Sequence, residues 1–162
     1  MNQIIIKKAI IFSLILGGCL GLALHIPSYT FQGLILMILL FLSPVFIILY
    51  MKKDEKHLNY IDNREGAILG GIIGFFVTLG AFISFIPMAY IIYFINHNSY
   101  FGSLVHNFIG EALWLLIIVV AITCVIFAFT NSACGMGLAF VLKFFEKQPE
   151  EKDAPIDIEI ND

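Results

Sequence analysis

The charges of this chain come in blocks, and the blocks leave long stretches with none. No Asp, Glu, Lys or Arg occurs in residues 9–51, 66–110 or 112–142. The chain is 60% hydrophobic and only 13% charged, where a soluble domain carries about a quarter charged residues. Folded in water, it would expose apolar patches far larger than soluble monomers tolerate. Lipid is therefore the expected solvent for most of the chain.

A membrane-spanning helix needs about 20 mostly apolar residues to cross roughly 30 Å of hydrocarbon. Four stretches meet that need, at about 4–25, 31–51, 66–88 with an extension to 96, and 112–132 with an extension to 147. The third stretch is too long for hydrocarbon alone at about 1.5 Å per residue. It is expected to cross by Pro87 and to run on into the interface. Tyr90, Tyr93, Tyr100, Phe101 and Trp114 gather there, as aromatic residues do at membrane surfaces.

The cations give an orientation. They are Lys7 and Lys8, then Lys52, Lys53, Lys56 and Arg64, then Lys143, Lys147 and Lys152. Short loops rich in Lys and Arg stay on the cytoplasmic side. Every cation falls on one side if both termini and the 52–65 loop are cytoplasmic. The expected fold is thus all-α, an integral membrane four-helix bundle in one domain with both termini cytoplasmic. Short connections should make consecutive helices antiparallel neighbours. The expected setting is a prokaryotic cell membrane, crossed several times. Residues 148–162 are acidic, contain Pro149 and Pro155, and read as a disordered tail. Within it Ile156, Ile158 and Ile160 alternate with acids, a pattern able to add a strand to a partner's sheet, although a solvated tail is the favoured reading.

Small residues recur at every fourth position in two spans. In the third they are Gly66, Gly70, Gly74 and Thr78, flanked by Ala67 and Gly71. In the first they are Ala9, Ser13, Gly17 and Gly21. Such residues share one helix face and let a neighbouring backbone approach closely, which is how helices associate in lipid. Ala9 superposes on Gly66, Gly21 on Thr78 and Lys7 on Arg64, a hint of a duplicated hairpin that the second and fourth spans do not echo. The stripes serve either an interface with another chain or contact inside this one, most simply the first span against the third.

Little else in the spans carries chemistry. Past Lys8 at the start of the first span, Asp, Glu, Lys and Arg, which mark proton relays and ion pathways inside membranes, are missing from them, as is a carboxylate pair for hydrolysis. The triplet Thr130, Asn131 and Ser132 could form a polar site between helices, but its depth suits a helix end at the interface. Pro44 lies inside the second span, removes one helical N–H and frees the carbonyl of Leu40; Ser43 could supply the local hydrogen bond. His25, His97, His106 and Glu111 share the cation-free side. One metal could use such ligands, but their spacing matches no metal motif, and interfacial histidines bonded to water or headgroups are favoured. Cys19, Cys124 and Cys134 show no Cys-x-x-Cys spacing and read as small buried residues. Leu16-Gly17-Gly18-Cys19 resembles a bacterial lipoprotein signal, yet apolar sequence continues through Leu24, so a retained span is favoured.

No cofactor or metal is expected, and no basic patch with interleaved aromatics suggests nucleic acid. The expected partners are membrane lipid and either further copies of the chain or another membrane protein. The leading expectation is a non-enzymatic protein acting by helix–helix association, as a subunit, assembly factor or homo-oligomer. The alternative is a channel or transporter for a small neutral solute, motivated by the glycine-rich span, Pro44 and the polar triplet. An intramembrane enzyme using the histidines and Glu111 ranks last.

Overall fold

The computed structural model describes residues 3–25, 31–54, 61–96 and 100–145, without the side chains of residues 31–33, 54, 100 and 101. Among the described residues every regular element is helical: α1 (Gln3–Ala23), α2 (Phe31–Asp54), α3 (Asn63–Ile95), α4 (Tyr100–Glu111) and α5 (Leu113–Phe145). Four of them, all but α4, are long and apolar enough to cross a membrane. That follows from the sequence directly. An apolar stretch in lipid must satisfy its peptide groups internally, and a helix does so within one segment. The 148–162 tail, with its alternating isoleucines, lies outside the described residues, as do His97 and the centre of the 52–65 loop.

The helix ends follow local chemistry. Asp62 precedes α3 in an extended conformation, and its carbonyl accepts from the Gly66 N–H at 2.8 Å. Glu65 lies in the first turn of α3, and Lys52 and Lys53 lie in the last turn of α2, each complementing the helix dipole. Pro44 and Pro87 both sit inside continuous helices.

Three features depart from the sequence reading. The 97–111 connection contains a helix, α4. Its apolar Leu104, Val105, Phe108 and Ile109 recur at helical spacing beside polar Asn107 and Glu111, a pattern too short and too mixed for a hydropathy window to register. Only Ala112 separates it from α5. Its N–H donates to Phe108 O at 3.0 Å, while its carbonyl accepts from Leu115 and Leu116 at 2.9 and 3.2 Å. One helix thus closes and the next opens on the same residue. Consecutive helices are also not always the main neighbours. α3 is the hub, packed most extensively against α5 and α1, whereas α1 and α2 touch little. Small-residue faces on α1, α3 and α5 explain this, because van der Waals packing rather than connection length decides helix pairing in lipid. The third departure concerns Asn131, whose place lies within the contact of α3 with α5.

Candidate functional site

α3 carries small residues along its whole length, and it uses them on two partners. Near its start, Gly66, Gly70 and Gly74 face α5. A methyl group on Gly66 would lie 2.6 Å from both Ala139 Cβ and Gly135 O. One on Gly70 would collide with Asn131 O and come within 3.0 Å of Gly135 Cα. One on Gly74 would meet Asn131 Cβ and Phe127 O, each at 2.5 Å. The contact is mutual, since a methyl on Gly135 would reach Gly70 Cα at 2.8 Å. The expectation that this stripe meets the first span is therefore corrected. It meets α5, because Asn131, Gly135 and Ala139 form a matching row at every fourth position. That row was present in the sequence. Ala133, Cys134 and Gly137 beside it blur its periodicity.

Further along, α3 receives α1. A methyl on Gly17 would fall on the Val77 carbonyl and 3.0 Å from Ala81 N, and one on Gly21 on Ala81 O and Ser84 Oγ. From the other side, a methyl on Gly80 would lie 2.7 Å from Leu14 O. Ser84 Oγ stands 2.9 Å from Gly18 O, a hydrogen bond between α3 and α1. Ala9 and Ser13 are both fully buried further back along α1. α1 passes through Cys19 as one continuous helix, with Gly17 and Gly21 packed on either side of that exposed thiol.

The hydroxyls are mostly spent on their own helices. Ser13 donates to Ala9 O at 2.6 Å, Thr78 to Gly74 O at 2.9 Å and Thr123 to Val119 O at 2.7 Å. Thr130 reaches Ile126 O at 3.1 Å, and Ser132 is half-buried beside Gly71. Such bonds use the hydroxyl's single donor on its own helix and leave only its oxygen lone pairs for a ligand.

Asn131 is different. It lies well inside α5, 0% exposed, with Gly70 and Gly74 packed against it. It is not at a helix end. Its Nδ2 donates to Leu40 O of α2 at 3.3 Å, and the Ser43 hydroxyl donates to the same oxygen at 2.8 Å. Pro44 explains why that carbonyl is open, since the proline has no N–H to give it. Asn131 therefore ties α2 to the α3–α5 joint, while its Oδ1 is buried with no hydrogen-bond partner.

Beyond Gly74 the α3–α5 pair changes character. The facing residues become bulky and the helices part around a groove of about 630 Å³, open along one side. Phe75, Phe82 and Pro87 on α3 and Leu113, Ala121 and Cys124 on α5 are among its walls. Apart from the Cys124 thiol those walls are hydrocarbon.

The two described histidines, His25 and His106, stand on separate aromatic supports. His25 has Nδ1 3.2 Å from Gly21 O and its ring 4.6 Å from that of Phe85. His106, on α4, stacks on Tyr93 at 4.4 Å and lies 5.9 Å from Tyr90. Glu111 is exposed at the end of α4. Among the described residues no three His, Cys, Asp or Glu side chains come together as metal ligands would.

No protein-family model, curated protein or solved structure matches this chain. Its chemistry has to be read from its own geometry. That geometry offers a tight joint, a polar tie at Asn131 and an apolar groove.

Proposed function

We propose that the protein is a multi-pass membrane protein, its termini cytoplasmic, that works by helix–helix association as a subunit, an assembly factor or a homo-oligomer. The observation that carries this reading is the uneven use of α5. It is the most apolar span, yet only 11% of its most apolar window is buried, against 44% for α3. α5 is held along one side by α3 and by Asn131. Its far side offers Ile122, Ile126 and Phe129, of which Phe129 is 75% exposed. The stripes on α1 and α3 are occupied inside the chain, and the α5 flank is the face this reading assigns to association.

Crosslinking and native mass spectrometry in mild detergent test the reading. The expected result is a specific oligomer or partner complex that dissociates in a Phe129→Ala, Ile122→Ala double variant with unchanged helicity. A strictly monomeric, partnerless protein overturns it.

The channel or transporter reading has one observation in its favour, the unpartnered Asn131 Oδ1 buried where α2, α3 and α5 meet. It requires water at that depth. An Asn131→Cys variant would then react with a water-borne thiol reagent well above the parent protein. Inertness of the new thiol removes this alternative.

A further inference from the structure

We propose that the α3–α5 groove is a binding site for one phospholipid of the leaflet on the α4 side, one chain lying in the groove and a primary-ammonium headgroup resting at Glu111 and Asn107. The inference goes beyond the association reading and does not depend on it.

Depth is the first argument. The groove follows α5 from Leu113 to Val125, about 18 Å at the helical rise. Half of a hydrocarbon core is about 15 Å. The groove is therefore one leaflet deep. Its floor is closed where Gly74 packs on Phe127 and Asn131. A partner helix crossing the whole membrane would run past that floor, whereas a single lipid chain ends there.

Charge is the second argument. Glu111 is the sole Asp, Glu, Lys or Arg between Glu65 and Lys143. It shares a shallow recess of about 240 Å³ with Leu104, Asn107, Phe108 and Ala112. Ala112 borders the recess and the next residue, Leu113, borders the groove, so the recess lies close to the groove's α4 end. An anionic oxygen and a carboxamide oxygen at the mouth of a hydrocarbon slot complement an ammonium that donates N–H bonds. A trimethylammonium has no N–H to give, and an anionic glycerol headgroup is repelled.

The test is native mass spectrometry of the full chain in mild detergent. Dioleoyl phosphatidylethanolamine, phosphatidylcholine and phosphatidylglycerol are offered at equal concentration. One retained phosphatidylethanolamine per chain is expected, several-fold above the other two. Glu111→Gln should even out phosphatidylethanolamine and phosphatidylcholine while a lipid is still retained. Ala121→Phe, which fills the groove from its exposed lip, should remove retention of all three. Ile117→Trp does the same from another exposed position and guards against one variant failing to fold. Equal retention of the three lipids by the unaltered protein, or unchanged retention in both groove variants, overturns the proposal. So does a second polypeptide, rather than a lipid, being lost when the groove is filled.

Discussion

The two halves of the α3–α5 pair are built from the same two helices and do opposite things. Where Gly66, Gly70 and Gly74 meet Asn131, Gly135 and Ala139, the backbones touch. Where Phe75, Phe82 and Pro87 face Leu113, Ala121 and Cys124, they part around an open groove. Lipid supplies no hydrophobic force to press the helices together, so side-chain size along the seam decides the spacing. One pair can then be a rigid joint at one end and a slot for hydrocarbon at the other. The joint also explains the place of the polar tie. Asn131 could not sit so deep unless Gly70 and Gly74 left room for it.

The sharpest way to break this contrast is to put bulk into the joint. Gly70→Leu and Gly135→Leu each force a side chain into neighbouring backbone, which cannot move aside without separating the helices. A loss of about 3 kcal/mol or more is expected, at the upper end of overpacking effects. Thermal unfolding in detergent, followed by helical circular dichroism, measures it. Ala121→Phe in the other half should change stability by less than about 0.5 kcal/mol, as an exposed substitution does. Equal losses from the two halves would mean that the groove is a closed core after all.

The next effect is smaller and belongs to the tie. Asn131→Ala leaves Leu40 O with the Ser43 hydroxyl alone, and a loss of about 1 kcal/mol is expected for an interhelical hydrogen bond in a membrane. Pro44→Ala restores a backbone N–H to that carbonyl. In the double variant the asparagine should matter less, and a double-mutant cycle reads the difference as a coupling. Purely additive losses would show that Asn131 does not act through Leu40.

Much of this was legible in the sequence, and the part that was not has a physical cause. Uninterrupted apolar stretches made the spans plain, because hydrocarbon thickness sets their length. Spacing of four placed Gly66, Gly70 and Gly74 on one face. That spacing could not choose the partner, since a smooth face accepts any other smooth face. Asn131 was visible as a polar residue, but distance along a helix says nothing about which side it points to. Helix α4 was hidden for another reason: hydropathy averages over its mixed faces, and only a helical reading of Leu104, Val105 and Phe108 would have found it.

The smallest predicted effect separates composition from geometry most cleanly. Gly17 and Gly18 are adjacent, identical and inside the same helix. A methyl on Gly17 strikes the Val77 carbonyl, whereas one on Gly18 meets nothing within 4 Å. Gly18 does take part in the α1–α3 contact, but through its carbonyl, which accepts from Ser84 and which alanine would keep. Gly18→Ala should therefore be neutral or stabilise by up to about 1 kcal/mol, the gain in helix propensity over glycine. Gly137→Ala on α5 should behave alike, for its added methyl also meets nothing. Gly17→Ala should be clearly destabilising in the same unfolding assay. If Gly18→Ala proved as costly as Gly17→Ala, glycine content rather than close backbone approach would be what holds α1 to α3, and the contrast between joint and groove would lose its cause.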